Sequence, residues 1–226
     1  MNTETINFET KNGATTAFVA QPEAQTGTAP PAVILIQEWW GINDHIRDLA
    51  GRYAREGFLC VAPDLYRGKL TRDAEEASRM MHALDLDDGI NTISHAIEET
   101  TGRYGVSRLG ITGYCMGGTF ALRAACEIPG LGAAAPFYGD IPDEATLSQL
   151  KVPTLFIAGS RDNWITPEKV EGLKEAARKD NLPVEVASYD ADHAFFNDTR
   201  PEVYNAEAAA DAWRRVLKLF RERLTG

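Results

Sequence analysis

The feature that most constrains this chain is a regular alternation of short apolar runs with amphipathic helical patterns. The runs are AVILI (Ala32 to Ile36), FLCVA (Phe58 to Ala62), RLGIT (Arg108 to Thr112), GAAAPF (Gly132 to Phe137), PTLFIA (Pro153 to Ala158) and VEVASY (Val184 to Tyr189). Each has strand length, and helical patterns separate them, which predicts βα units and a mainly parallel sheet covered by helices on both faces. Helices are expected over His45 to Glu56, closed by Gly57, and over Asp73 to Leu84, Asp87 to Tyr104, Gly117 to Glu127, Pro167 to Asp180 and Asn205 to Leu224. A short strand region precedes the first buried run, and Ala20 to Pro31 reads as the loop between them. The 226 residues contain no internal repeat and fit one α/β domain over 1–226.

In an open parallel sheet, ligands bind beyond the carboxyl ends of the strands, so the residues that follow each run carry the functional information. After RLGIT comes Gly113-Tyr114-Cys115-Met116-Gly117-Gly118, a GxCxG sequence between a strand and a helix. Flanking glycines suit a sharp turn that leaves no room for neighbouring Cβ atoms. The helix N-terminus favours a thiolate and offers backbone donors to an oxyanion. A glycine-rich turn with a merely buried cysteine is the alternative. After PTLFIA comes Gly159-Ser160-Arg161-Asp162, and after VEVASY comes Asp190-Ala191-Asp192-His193. The order Cys115, Asp162, His193 is the nucleophile, acid, histidine order of α/β-hydrolases, each member on the loop after its own strand. Asp162 is expected to orient His193, and His193 to carry protons between thiol, leaving group and water. Asp190 and Asp192 lie too near His193 to arrive from a separate strand and read as turn formers.

AVILI ends in Gln37-Glu38-Trp39-Trp40-Gly41. This loop supplies the second oxyanion donor in such a fold, here the Trp39 N–H, with the Met116 N–H as the first. Glu38 either takes the thiol proton, or holds Cys115 protonated until substrate arrives, or simply caps the next segment.

QEWWG, APDLY (Ala62 to Tyr66), GYCMGG, GSRD and DHAFFND (Asp192 to Asp198) together resemble the dienelactone hydrolase, or carboxymethylenebutenolidase, family, from about Ala32 to the C-terminal helix. The resemblance implies an α/β-hydrolase fold, a three-layer αβα sandwich, and cofactor-free opening of enol-lactones in aromatic compound degradation. It assigns Cys115, Asp162 and His193 to a Cys-His-Asp triad and Glu38 to the glutamate that activates the cysteine. Two arginines hold the substrate carboxylate in that family. One of those positions is Asn197 here and the other falls near Ala74, so Arg72, Arg79 and Arg200 are the candidates to rebuild the clamp. Trp39, Trp40, Trp164 and Phe195 either line an apolar pocket or pack in the core.

The expected reaction is therefore hydrolysis of a carboxylic ester or lactone through an acyl-thioester. The alternatives are an esterase or thioesterase for another acyl group, a hydrolase-fold binding or regulatory protein without turnover, and a redox-responsive thiol protein. A net charge of −10 argues against nucleic acid and anionic membranes as partners and leaves a small molecule. MNTETINFET has neither a basic nor an apolar leader region, and no run approaches the roughly 18 apolar residues of a membrane span, so a cytoplasmic location is expected; both a monomer and a homodimer stay open. Cys60, Cys115 and Cys126 form no CxxC pair and read as reduced thiols, with Cys60 and Cys126 buried in packing. No metal or organic cofactor is implied, because HExxH and CxxC elements are missing and His45, His82 and His95 lack ligand spacing. Those three histidines read as surface or capping residues, and Met80 and Met81 as packing residues.

Overall fold

The computed structural model describes residues 1–23 and 29–225. The N-terminal strand region is a hairpin of two long strands, β1 (Asn2–Thr10) and β2 (Gly13–Gln21), paired from Thr10 opposite Gly13 to Asn2 opposite Gln21. Ala20 and Gln21 therefore end a strand where a loop was expected, and positions 24–28 of that loop lie outside the described residues. The six apolar runs form β3 (Ala32–Ile36), β4 (Leu59–Pro63), β5 (Leu109–Tyr114), β6 (Leu131–Phe137), β7 (Thr154–Gly159) and β8 (Val184–Tyr189). All eight strands make one sheet in the order β1-β2-β4-β3-β5-β6-β7-β8. β2 meets β4 antiparallel, and β3 to β8 pair in parallel. β3, β4, β5 and β7 are buried at every position, which explains why they read as continuous apolar runs rather than alternating ones.

Helices cover both faces. Ile46, Leu49 and Tyr53 of α1 (Asp44–Arg55) and Val216 and Phe220 of α7 (Ala206–Leu224) pack on one side. The other side receives Ile93 and Ala96 of α3 (Leu86–Tyr104), Phe120 and Ala124 of α4 (Met116–Glu127), and Val170 and Leu173 of α6 (Pro167–Asp180). Met80 and Met81 of α2 (Ala74–Ala83) pack against that core, as expected. A one-turn helix, α5 (Glu144–Leu147), was not foreseen.

The helix starts move by one residue where a polar side chain caps the first turn. Asp73, expected inside α2, accepts from the Glu76 amide, and Asn205, expected inside α7, accepts from the Ala208 amide. Asn43 caps α1 in the same way, so Glu38 does not have the capping role open to it on sequence grounds. Among the described residues no helix is long and apolar enough to cross a membrane, and no group of three or more His, Cys, Asp or Glu side chains is arranged to hold a metal ion.

Candidate active site

β5 delivers Cys115 to the carboxyl edge of the sheet and α4 begins at the next residue. Cys115 sits at φ 58°, ψ −119°, a left-handed conformation costly for a residue with a side chain. The glycines on either side are required by close approach. A Cβ on Gly113 would lie 2.1 Å from the Gly117 carbonyl oxygen, and one on Gly117 would lie 2.3 Å from that of Ile36. β3, β5 and α4 are thereby pressed together around the cysteine turn.

β7 and β8 deliver the partners. The His193 Nδ1 lies 2.6 Å from Asp162 Oδ2. Asp162 Oδ1 accepts the amides of Trp164 at 2.8 Å and Ile165 at 2.9 Å. Burial alone would raise the Asp162 carboxyl, but the His193 hydrogen bond and charge and these two amides outweigh it, leaving its pKa below the ordinary aspartate value. With the carboxylate accepting, His193 carries its proton on Nδ1 and leaves Nε2 as a base. Nε2 is buried and has no hydrogen-bond partner among the described residues, so the thiol is not yet engaged. Trp164 packs its ring 5.1 Å from that of His193.

Cys115 is 7% exposed. Burial, and then the Glu38 carboxylate, push its thiol well above the usual range, while the Met116 amide works in the opposite direction. Met116 is the first residue of α4, so its N–H has no acceptor inside the helix. Among the described residues the Trp39 N–H also has no acceptor. These are the two donors expected for an oxyanion. The Met116 sulfur accepts from the Tyr66 hydroxyl at 3.1 Å.

Glu38 is 2% exposed, and burial lifts its carboxyl from 4.5 to about 7 against the smaller pull of His193, Arg200 and Asn197. Its hydrogen bond comes from Asn197 Nδ2 at 2.9 Å. Asn197 is itself buried, and its Oδ1 accepts the Thr199 amide at 3.0 Å and the Thr199 hydroxyl at 2.6 Å. That pattern fixes which end of the amide faces Glu38. Asn197, expected at a substrate subsite, gives its amide to Glu38 and also lines the cavity described next.

The remaining candidates separate. Arg200 and Arg72 line a cavity of about 790 Å³ together with Trp40, Leu70, Thr71 and Asn197, and the Arg200 charge reaches both Glu38 and Cys115. Cys115 is not among the residues lining that cavity. Arg79 does not join this pair: it lines a separate depression beside Glu76 and Met80. Phe195 lines neither of these two cavities; it is fully buried, with its ring packed against Tyr138 and Tyr189. Asp190 and Asp192 pair with Arg161 on the surface.

Of the residues around the site, the sequence reading misplaces His45 and omits Tyr138. His45, read as a surface or capping residue, is 4% exposed on the packed face of α1, and burial lowers its pKa to about 4 despite Asp198 at 3.6 Å. His82 and His95 do bond carbonyls of their own helices. Tyr138, directly after β6, is fully buried with its ring 5.1 Å from His193. It directly follows the GAAAPF run, so the strand-end rule that points to the neighbouring positions points to it as well.

Comparison with known proteins identifies the family and the fold. Residues 15–224 match the Dienelactone hydrolase family. The protein named "Putative carboxymethylenebutenolidase" of Yersinia pestis is 34% identical over 91% of this chain and 83% of its own length. "Protein usf" of Aquifex pyrophilus is 31% identical over 97% of this chain and 98% of its own. The crystal structure named for a "Putative Dienelactone Hydrolase" from Klebsiella pneumoniae subsp. pneumoniae MGH 78578 superposes with a TM-score of 0.89 at 30% identity, covering 98% of this chain and all of that one.

Proposed function

The chain belongs to the dienelactone hydrolase family and is a hydrolase, and on that premise we propose that it cleaves carboxylic ester or lactone bonds by nucleophilic attack of Cys115. The observation that carries this reading is the His193–Asp162 pair, with a free Nε2 on the same sheet edge as a strained, glycine-flanked cysteine. A buried thiol beside a carboxylate is protonated at rest, so its proton must go to a neighbour before attack. Glu38, with a pKa raised to about 7, is matched to receive it near neutral pH.

The thiolate attacks the carbonyl carbon and the carbonyl electron pair moves to oxygen, where the Trp39 and Met116 amides stabilise the charge. Collapse expels the alkoxide or enolate and leaves an acyl-thioester. His193 Nε2 then takes a proton from water as the hydroxide adds. The expelled oxygen takes the proton held on Glu38, the tetrahedral adduct releases the thiolate and the acid, and the thiolate recovers a proton from His193. The balance is one ester and one water in, one acid and one alcohol or enol out.

Cys115→Ala tests the reading. Hydrolysis of an activated aryl ester and of dienelactone should fall to background with an unchanged circular dichroism spectrum, and retention of the full rate would overturn it. The names of the relatives point to an enol-lactone substrate. A second reading, an esterase for a different acyl group, is favoured by Asn197, which puts a neutral amide on Glu38. Comparing kcat/KM for dienelactone and simple aryl esters separates the two.

A further inference from the structure

Tyr138 has no task in the scheme above, yet it holds two unfavourable features at once. It is a bulky residue at φ 38°, in the left-handed region such residues avoid. Its hydroxyl is fully buried and has no hydrogen-bond partner among the described residues. The Phe196 amide lies near the phenol oxygen but outside hydrogen-bonding geometry, and an amide donor would in any case leave the O–H proton without an acceptor. Unpaired buried hydroxyls are destabilising, so a native protein that keeps one calls for a reason.

The position supplies the reason. The Cys115 amide donates to the Phe137 carbonyl at 3.1 Å, and the Tyr138 amide donates to Ile157 at 2.7 Å, so the backbone seats Tyr138 between the cysteine turn and β7. Its ring meets that of His193 edge-on at 5.1 Å and 61°. The charges of Glu38, Cys115 and Asp162 all act on the phenol, and burial first, then Glu38, keeps it protonated, a donor at every working pH. When the thiol proton leaves for Glu38, a new acceptor appears: a sulfur anion in a nearly dry site whose fixed donor is the Met116 amide. Glu38 already has Asn197.

We propose that the Tyr138 hydroxyl, unpaired at rest, donates a hydrogen bond to the ionised Cys115 sulfur and is a further catalytic residue of this reaction. The inference rests on the reading of Cys115 as nucleophile.

The test is Tyr138→Phe, which removes only the oxygen. Cys115 alkylation by iodoacetamide, followed on its own peptide by mass spectrometry across pH, reports thiolate formation without requiring turnover. The expected result is alkylation at neutral pH slowed roughly tenfold to a hundredfold, the profile displaced to higher pH, kcat on an aryl ester reduced by a similar factor, and a Tm equal to or above that of the unchanged protein. A protein with unaltered alkylation, a lowered Tm or no stable fold would assign the hydroxyl to packing and overturn the inference. Because alkylation does not depend on hydrolysis, that failure is distinct from a failure of the Cys115→Ala experiment.

Discussion

Asp162 and Glu38 are equally hidden, each 2% exposed, and they shift in opposite directions. Asp162 accepts three hydrogen bonds at 2.6 to 2.9 Å, two from fixed backbone amides and one from His193. Glu38 accepts one, from a side-chain amide. Burial penalises both charges, and only the first has enough donors to overcome the penalty. One carboxylate is built to stay charged and the other to change its charge. On the mechanism proposed above, two environments on one sheet edge separate the orienting group from the proton acceptor.

Their pH signatures are opposed as well. Asp162 has a folded pKa below its unfolded value, so its contribution to stability is present above about pH 4 and is lost as pH falls through the folded value. Glu38 has a folded pKa above its unfolded value, so its contribution is complete below about pH 4.5 and is lost as pH rises through about 7.

The largest break in the contrast is Asp162→Asn. If the Asn oxygen keeps the Trp164 and Ile165 amides, its NH2 faces His193 Nδ1, and the imidazole proton is forced onto Nε2. His193 can then accept nothing from water. A fall in kcat of about 10³ to 10⁴ is expected for such a tautomer reversal. Steady-state kinetics on an aryl ester decide it, and a loss below tenfold would mean that Asp162 is not the orienting acid.

Glu38→Gln makes the second carboxylate permanently neutral. The rise from 4.5 to about 7 corresponds to roughly 3 kcal/mol of destabilisation at alkaline pH. The variant should therefore unfold at higher denaturant than the parent at pH 8 and at nearly the same concentration at pH 4.5. It should also lose the kinetic limb near pH 7. Equal differences in stability at both pH values would show that Glu38 ionisation is not the cause.

What could be read from the sequence follows from what is local. The buried strands announce themselves as apolar runs, and the turn at Cys115 by glycines forced by contacts within a few residues of each other and with β3. The strand-end rule led to Asp162 and His193, and applied to β6 it would have led to Tyr138. His45, Leu49 and Tyr53, four residues apart along α1, form one buried stripe that was also available to be read. The Glu38–Asn197 bond was not, because it joins loops 159 residues apart and depends on side-chain orientation. In sequence, Asn197 therefore reads as a missing arginine at a substrate subsite, with no sign of Glu38 as its partner. Phe195 and Trp164 illustrate the same limit: both are aromatic residues in active-site loops, and only packing shows that one faces the core and the other His193.

The smallest effect isolates the weaker side of the contrast. Thr199→Val keeps the shape and the backbone amide that holds Asn197 Oδ1 at 3.0 Å, but removes the hydroxyl donor at 2.6 Å. The Asn197 amide is then held at one point instead of two, and its bond to Glu38 is loosened. That bond favours the charged carboxylate, so weakening it raises the Glu38 pKa further. The acidic limb of kcat/KM should move to higher pH by a few tenths of a unit, with about 0.5–1 kcal/mol lost from stability and the plateau rate unchanged. A limb that stays in place would show that Thr199 does not orient Asn197. A limb that moves to lower pH would reverse the sign assigned to the Asn197 bond and make Asp162 the only carboxylate here whose charge is set by its donors.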